Sequence, residues 1–297
     1  MKCTICPRLC GADRNGGERG YCGADGSLKV ARAALHMWEE PPISGERGSG
    51  TVFFSHCPLK CVYCQNRDIS SGGDGLVISV DRLCEIFFEL KEKGAHNINL
   101  VSPTQYTNEI IAAVKTAKSR GFDLPFVYNT SGYERVETLQ KFRGLIDIYL
   151  TDFKYMSPDA AKIYSNAADY PNVAESALRE MMRQQPTCVF DGELMQSGVI
   201  VRHLILPGNI GDSKDVVDIF SDICGSHACL SLMRQYTPPK NCTFAEISRP
   251  ITDGEYDEVV NYALMCGIKN MFLQDGESVS ESFIPAFDYE GVLKNGT

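Results

Sequence analysis

Residues 51–64 read TVFFSHCPLKCVYC, in which a short apolar run is followed at once by three closely spaced cysteines. The apolar run, residues 51–55, predicts a buried strand, and the proline and lysine between the cysteines predict a loop after it. Thiolates at Cys57, Cys61 and Cys64 can bind three irons of a [4Fe–4S] cluster and leave the fourth iron open to a small molecule. A structural zinc ion needs four ligands, so this spacing fits zinc poorly.

Beyond the loop, short β-rich runs alternate with amphipathic helical segments. Ser79 is the predicted N-cap of the first long helix, and capping boxes are predicted at Asn172 with Glu175 and at Thr252 with Glu255. We predict further strands at 97–102, 125–129, 145–151, 199–206, 230–234 and 270–273. Six or seven parallel βα units follow from this order, which predicts an α/β fold, a partial (β/α)6 TIM-like barrel with its chemistry on the loops after the strands.

The chain divides into three predicted parts. The first is a Cys-rich, metal-binding extension and linker, because its one apolar stretch at 31–38 is too short to build a core alone. The linker is placed at Pro41-Pro42 and the Gly-rich run that follows, up to residue 50. The last part is a tail whose Phe283, Phe287 and Tyr289 either close over the barrel mouth or pack outside it. The three parts are residues 1–45, the barrel at 46–280, and 281–297.

Four cysteines of the extension, Cys3, Cys6, Cys10 and Cys22, have the spacing Cys-x2-Cys-x3-Cys-x11-Cys. Four ligands satisfy the count for a closed metal site, and the compact run of three, with Pro7 directly after Cys6, favours an auxiliary [4Fe–4S] cluster. A structural zinc ion, which would fold this coreless segment, is the alternative, and free cysteines are the simplest case. A cluster there would relay electrons or bind substrate. The six scattered cysteines elsewhere are expected to be buried structural thiols.

The composition disfavours several functions. With 29 basic and 38 acidic residues, the 297-residue chain has a net charge of -9, whereas a nucleic-acid-binding protein needs a basic face. No apolar run is long enough to span a bilayer and the first residues lack a signal-peptide pattern, so we expect a cytoplasmic protein without a membrane partner. Thirteen cysteines in a reducing compartment indicate metal or catalytic chemistry rather than disulfides.

The cysteine loop resembles the hallmark of the radical S-adenosylmethionine (SAM) superfamily, Cys-x3-Cys-x-aromatic-Cys, with Cys57, Cys61, Tyr63 and Cys64 in the four positions. The resemblance implies that the open iron binds the amino and carboxylate groups of SAM. Reduction of the cluster would then cleave the sulfonium to a 5′-deoxyadenosyl radical, which abstracts hydrogen from a substrate. Tyr63 is expected among the residues that border SAM.

Residues 48–66 and the barrel beyond them are similar to enzymes related to the pyruvate formate-lyase activating enzyme. The pattern from Cys6-Pro7 to the Trp-Glu-Glu-Pro-Pro run at 38–42 resembles an uncharacterised branch of activating-enzyme-like proteins. The likeness implies SAM contacts at the strand ends: Ser102 and Thr104, then Thr130 and Ser131, then Asp152 and Lys154, and Arg202 within the next strand. In those enzymes the lysine faces the SAM carboxylate, whereas a surface pair of Asp152 with Lys154 is the alternative. Arg202 would approach the methionyl end of SAM, and its neighbour His203 would point away into the core.

The chain departs from the activating-enzyme pattern at several positions. His56 and Arg47 stand where glycines are expected, Asn129 replaces an aspartate near a cation site, and Gln235 and Tyr236 follow the strand that carries a histidine near the adenine. We expect an oxygen-sensitive radical SAM enzyme whose leading substrate hypothesis is a polypeptide, such as a glycine of a glycyl radical enzyme. Radical modification of another peptide or small molecule is the alternative, and a non-catalytic iron–sulfur electron carrier is disfavoured by the SAM-contact matches. A flavodoxin or ferredoxin-type protein would supply the electrons.

Overall fold

A computed structural model describes residues 2–239, 242–274 and 284–294 of the chain. These residues form a ten-stranded sheet flanked by nine α-helices, and no helix among them is both long and apolar enough to cross a lipid bilayer. The strands are β1 (Lys29–His36), β2 (Ser49–Phe54), β3 (Leu76–Val77), β4 (Ile98–Val101), β5 (Phe126–Thr130), β6 (Ile148–Asp152), β7 (Val189–Asp191), β8 (Leu194–Leu204), β9 (Cys229–Met233) and β10 (Met271–Leu273). The helices are α1 (Pro41–Ser44), α2 (Arg67–Ser70), α3 (Val80–Glu92), α4 (Thr107–Ser119), α5 (Val136–Leu139), α6 (Pro158–Ser165), α7 (Tyr170–Gln184), α8 (Ile210–Cys224) and α9 (Asp253–Met265).

The strand order of the sheet is β10-β9-β8-β6-β5-β4-β2-β1-β3, with β7 paired to β8. Neighbouring strands from β10 to β2 along this order pair in parallel, whereas β1 pairs antiparallel with both β2 and β3. Within the described residues the two end strands do not pair with each other, so the barrel is open. The predicted α/β class and partial TIM-like barrel are therefore confirmed, with seven parallel strands.

Capping signals predict two long helices correctly and a third wrongly. Ser79 is the N-cap of α3, because its side chain accepts from the Arg82 N–H. The capping box of α9 is present, because the Thr252 side chain accepts from the Glu255 N–H and the Glu255 side chain accepts from the Thr252 N–H. The capping box predicted at Asn172 is wrong, since α7 already begins at Tyr170 and Asn172 lies inside its first turn. Pro171 fits that turn because the missing N–H would have no helical partner there.

The interior of the open barrel is filled by α1 and an apolar cluster. Ile43 of α1 is fully buried against Val127 and neighbouring strand residues. Gly45 ends α1 with a φ of 51°, and a Cβ added to it would lie 2.6 Å from Leu194 Cδ2, so a glycine is needed at this close approach. The prediction of a linker across residues 41–50 is therefore wrong, because this segment packs inside the barrel and leads directly into β2.

Residues 29–36 lie within the predicted extension but form β1, a strand of the barrel sheet. The strand pairs with β2 from Val30 opposite Phe54 to His36 opposite Ser49. Its apolar residues, predicted as too few for a core of their own, are buried by this pairing. The sheet therefore begins before residue 46, and only the segment before β1 stands outside it.

Residues 284–294, which we call the strap, run along the edge of β1 that faces away from β2. The Tyr289 N–H donates to the Ala31 carbonyl (3.1 Å), and the Ala33 N–H donates to the Glu290 carbonyl (2.8 Å). Phe287 and Tyr289 of the predicted tail belong to the strap, while Phe283 lies outside the described residues. The strap thus covers backbone groups of β1 that β3, only two residues long, leaves open.

Candidate functional site

A central cavity of about 220 Å³ lies at the carboxyl ends of the parallel strands. Its wall is formed by the cysteine loop after β2 and by residues at the ends of β4, β5, β6, β8 and β9. Cys57, Cys61 and Cys64 all line it. Every predicted SAM-contact residue except Thr104 also lines it, together with Asn129 and Gln235. The topology therefore brings together most of the residues that the strand ends predict.

The cysteine loop is held by hydrogen bonds from the helices beside it. The Val62 N–H donates to the Tyr164 carbonyl (2.8 Å), and the Ser165 hydroxyl donates to Cys61 Sγ (3.0 Å). Cys64 Sγ lies 3.3 Å from Ser70 Oγ. These contacts fix the conformation of the loop, as a precisely arranged site requires.

His56, which stands where a glycine is expected, has a left-handed backbone with a φ of 72°. Its ring occupies space left by two other glycines, since a Cβ added to Gly73 would lie 2.5 Å from His56 Cε1 and one added to Gly23 would lie 3.0 Å from Nδ1. Burial lowers the pKa of His56 to about 4, so the ring is neutral at pH 7. The departure from glycine is therefore accommodated by the two glycines around the ring.

The donor set of the cavity fits a [4Fe–4S] cluster with one open iron. Three thiols line it, and Asp152 is the one carboxylate among the described lining residues. Asp152 is already bound by Lys154 and Arg202, so it is not free to act as a fourth ligand. Three protein ligands are what such a cluster needs when a small molecule binds the fourth iron.

An ion-pair network lies along the cavity wall beside the cysteines. Lys154 Nζ lies 2.6 Å from Asp152 Oδ2, and Arg202 Nε donates to Asp152 Oδ1 (2.9 Å). Arg202 also donates to Asn129 Oδ1 (2.6 Å) and to Glu39 Oε2 (3.2 Å). Burial alone would raise the pKa of Asp152, but Arg202 and Lys154 lower it below its usual value, so the carboxylate stays charged. The Asp152–Lys154 pair is therefore present, but inside the cavity rather than on the surface.

Glu39 and Glu40, which sequence patterns do not assign to the site, are buried beside Arg202. Glu39 accepts from Asn99 Nδ2 (2.9 Å) and Asn129 Nδ2 (3.3 Å), so the amide of Asn129 both donates and accepts, which an aspartate cannot do. Glu40 Oε1 lies 4.0 Å from Arg202 Nε, and within the described residues its Oε2 has no hydrogen-bond partner. Burial raises the pKa of Glu40 to about 7. In the sequence, the only sign that these two acids belong to the site is their position directly before Pro41 and Pro42.

Thr104 is turned away from the cavity and binds a second buried acid. Its hydroxyl donates to Glu134 Oε1 (2.5 Å), as does the hydroxyl of Thr130 (2.5 Å), so Glu134 joins the ends of β4 and β5. Glu134 is 1% exposed, and burial raises its pKa to about 7. Ser102 does line the cavity, and its carbonyl accepts from Gln105 Nε2 (2.8 Å). The Thr104 hydroxyl therefore positions Glu134, and Thr104 is not among the described residues that line the cavity.

We expect Glu134→Gln to leave stability nearly unchanged at pH 4.5 and to raise it by roughly 2–3 kcal/mol at pH 8. An acid whose pKa rises on folding stabilises the folded state at low pH, and this contribution is lost as the pH rises from about 4.5 through about 7. Glutamine keeps an acceptor for the two hydroxyls and stays neutral. Denaturant unfolding at both pH values measures the change, with exposed Glu137→Gln as the control. A Glu134→Gln protein less stable than the parent at pH 8 would contradict this assignment.

An aromatic wall closes one side of the cavity. The Tyr63 ring lines it, and the Tyr63 hydroxyl lies 2.5 Å from the Tyr155 hydroxyl. The Tyr236 ring meets Tyr63 edge-on at 6.0 Å, while the Tyr236 hydroxyl donates to the Ile247 carbonyl (2.6 Å) and so points into the core. Gln235, not Tyr236, therefore presents its side chain to the cavity at the position where activating enzymes carry a histidine.

Two other residues singled out in the sequence lie away from the cavity. His203 points into the core as predicted, with Nδ1 2.7 Å from the Phe153 carbonyl and Nε2 2.9 Å from Ser213 Oγ. Arg47 contacts His96 (3.1 Å) and lines another cavity, of about 1070 Å³, at the amino ends of the strands. Because chemistry in such barrels takes place at the carboxyl ends, we assign the functional site to the smaller cavity with the cysteines.

We expect Gly132→Ala to destabilise the protein by about 3 kcal/mol or more, from left-handed backbone strain and overpacking together. Gly132 has a φ of 77°, and an added Cβ would overlap the carbonyl oxygen of Asp152 at the end of β6. Gly121→Ala is the matched control: its φ is 81° but nothing lies within 4 Å of the added Cβ, so it should cost about 1–2 kcal/mol. Denaturant unfolding compares the two variants, and equal losses would refute the proposed contact with Asp152.

A smaller cavity of about 140 Å³ adjoins the central one and opens outward. The two share Gln65, Asn66, Val101, Asn129, Arg202 and Gln235, so a molecule in the outer cavity would meet the ion-pair network. Its other walls come from β1, β2 and the residues after β1, and Ile284 and Pro285 of the strap also line it. This arrangement gives a mostly polar entrance next to the cysteine cavity.

Comparison with known proteins gives a family match over part of the barrel, from β2 to β7. Residues 51–193 match the model of the radical SAM superfamily. An uncharacterised protein of Methanocaldococcus jannaschii is 26% identical over 269 residues, which cover 88% of this chain and 74% of that protein.

Among solved structures, Streptococcus suis SuiB has a TM-score of 0.51 and 11% identity in its complex with the precursor peptide SuiA, over 74% of this chain and 46% of SuiB. SuiB has also been solved bound to S-adenosylmethionine, with a TM-score of 0.51 and 12% identity over 73% of this chain. A domain of the pyruvate-formate lyase-activating enzyme from Bacteroides vulgatus matches with a TM-score of 0.44 and 13% identity, over 61% of this chain.

Proposed function

Because residues 51–193 of this chain match the radical SAM superfamily, we propose that its central cavity holds a [4Fe–4S] cluster on Cys57, Cys61 and Cys64 with SAM beside it. When bound, these groups supply one-electron cleavage of the sulfonium and a 5′-deoxyadenosyl radical that takes hydrogen from a substrate. The observation that carries the proposal is the presence of three thiols and a buried Lys154–Asp152–Arg202 network in one cavity.

Lys154 is the residue we propose to bind the SAM carboxylate. Its ammonium is close enough to Cys61 to oppose the rise that burial imposes on the pKa of that thiol, so it lies beside the proposed cluster. Asp152 holds the ammonium from one side and is itself fixed by Arg202. A cation fixed in a sheltered cavity forms a strong charge-assisted bond with an incoming carboxylate.

The remaining lining residues would fix the rest of SAM. Ser102 and Ser131 line the cavity. Thr130, the last residue of β5, also lines it and is held by its hydrogen bond to Glu134. The Tyr63 ring and the Gln235 side chain border the space on the other side. These groups orient the bound molecule and exclude water, which a reactive radical requires.

We propose a peptide or protein as the substrate, with a glycine of a glycyl radical enzyme as the specific case. The polar outer cavity gives a chain segment access to the cysteine cavity, and SuiB, of similar fold, has been solved with a precursor peptide. A flavodoxin or ferredoxin-type protein is the proposed reductant. The glycines that activating enzymes carry at the positions of His56 and Arg47 are absent here, which makes a different peptide the second candidate.

The test is anaerobic reconstitution with iron and sulfide, followed by reduction with dithionite in the presence of SAM. Formation of 5′-deoxyadenosine and methionine supports the proposed reaction, and its absence from a protein with an intact cluster overturns it. The reaction is then repeated with a purified glycyl radical enzyme. A glycine-centred radical signal in electron paramagnetic resonance supports the glycine substrate, whereas SAM cleavage without that signal rejects it.

A further inference from the structure

The four cysteines before β1 lie together outside the barrel. Backbone hydrogen bonds from Cys3 N–H to the Ala12 carbonyl (2.9 Å) and from Gly11 N–H to the Cys3 carbonyl (3.1 Å) place Cys3 next to Cys10. A Cβ added to Gly20 would lie 3.3 Å from Cys10 Sγ and 3.6 Å from Cys22 Sγ, so the glycine leaves room between these two thiols. Cys6 is buried with Cys22, at 8% exposure each.

The segment is folded without an apolar core. Among residues 2–25 the buried side chains are those of Cys6, Arg14, Cys22 and Ala24, while Leu9 and Tyr21 are 55% and 37% exposed. All four cysteines are free thiols, so no disulfide links them. A segment that buries cysteines and exposes its large apolar residues needs another cross-link, and metal binding supplies one in small coreless segments.

The order of the thiols along the chain favours a cluster over a single ion. Cys3, Cys6 and Cys10 form a compact Cys-x2-Cys-x3-Cys run with Pro7 directly after Cys6, a spacing typical of [4Fe–4S] ligands. A structural zinc ion more often takes its four ligands as two separated pairs.

We propose that Cys3, Cys6, Cys10 and Cys22 bind a second [4Fe–4S] cluster, with all four irons held by the protein. This site goes beyond the SAM chemistry proposed above, which needs the barrel cysteines alone. None of the four thiols is among the described residues that line the central or the outer cavity, so the role we assign to this cluster is electron relay.

Arg8, between two of these cysteines, ties the second site to the cysteine loop of the barrel. Its Nε donates to the Pro58 carbonyl (3.0 Å) and its Nη2 to the Ser165 carbonyl (2.9 Å). Ser165 in turn donates to Cys61 Sγ (3.0 Å). The Arg8 guanidinium thus links the segment to Pro58, next to Cys57, and to Ser165, which contacts Cys61. This position suits a second cluster that passes electrons to the barrel cluster.

The experiment counts iron, zinc and acid-labile sulfide after anaerobic reconstitution of the full chain. We expect about eight irons in the parent and about four in each of two variants, one lacking Cys57, Cys61 and Cys64 and one with Cys6→Ala and Cys22→Ala. The control Cys84→Ala with Cys266→Ala should keep about eight. About four irons in the parent, or one zinc per chain bound through the Cys6 and Cys22 segment, would overturn the proposal.

A second measurement covers variants that do not fold. Native mass spectrometry of the reconstituted parent should show the mass of two clusters, and a mass of one cluster rejects the second site. Neither readout depends on SAM cleavage, so this proposal can fail while the proposed function stands. The reverse also holds, since a protein with eight irons that forms no 5′-deoxyadenosine would retain the second site and lose the proposed reaction.

Discussion

Replacing Cys64 by alanine should reduce 5′-deoxyadenosine formation to below detection. Two thiolates would remain for a cluster that needs three protein ligands and an open iron, so the barrel cluster should not assemble. Cys64 Sγ lies near Ser70 Oγ, and Cys64 is not among the described residues that pack against the apolar core, so the substitution removes little packing. Chromatographic assay of 5′-deoxyadenosine, after anaerobic reconstitution and reduction with SAM, measures the effect.

The matched control for this variant is Cys266→Ala, at the exposed end of α9. It removes a thiol far along the chain and should retain the parent's rate of SAM cleavage. Circular dichroism of both variants checks that the fold persists. Cleavage by the Cys64→Ala protein at a rate similar to the control would show that the cavity cysteines do not carry the reaction.

Replacing Arg202 by methionine should lower the free energy of unfolding by about 3–5 kcal/mol at pH 8, the range for breaking a buried ion pair. Arg202 is the cation that Asp152, Glu39 and Glu40 share, and its loss leaves these carboxylates with Lys154 alone nearby. Methionine fills a similar volume, so the effect reports charge rather than a cavity. Denaturant unfolding at constant salt measures it.

The loss should shrink as the pH is lowered to 5. Without Arg202, burial favours the protonated forms of the carboxyl groups, so the folded state takes up protons that the unfolded state does not, and this stabilises it at low pH. Arg179→Met is the control, because Arg179 is half exposed and its pairs with Glu175 and Asp222 are screened by solvent. If Arg202→Met were as stable as this control at pH 8, the shared-cation interpretation would be incorrect.

The order of strands and helices could be predicted from the sequence because each unit carries its own local signals. The apolar run at residues 51–55 and the capping box at Thr252 depend only on neighbours in the chain. The β7–β8 hairpin escaped prediction because β7 is exposed and lacks alternating polarity. The prolines before Ile43 predict a linker because they favour a loop, whereas packing inside the open barrel decides the structure of this segment.

The candidate site was predictable where chemistry and position coincide in the sequence. The spacing of Cys57, Cys61 and Cys64 alone predicts an iron–sulfur cluster. The pair Asp152 and Lys154 could be predicted because it lies at a strand end, where active sites of such barrels are found. Glu39, Glu40 and Glu134 could not be assigned, since an acid is ordinarily a surface residue and only the folded chain shows what covers it. The hydrogen bond from the Thr104 hydroxyl to Glu134 could not be predicted either, because the two residues are 30 positions apart in the sequence.

The strap also has a consequence for synthesis of the chain on the ribosome. Its contacts with β1 join residues far apart in sequence, such as Arg32 and the Ala286 carbonyl, 254 positions apart. A nascent chain makes β1 early and the strap late, so the outer edge of β1 stays open while the rest of the barrel is translated. Open strand edges pair with other chains, and nascent chains are exposed to this hazard for as long as the edge is uncovered. The time at which this edge becomes protected is therefore set by the rate of translation through residue 290.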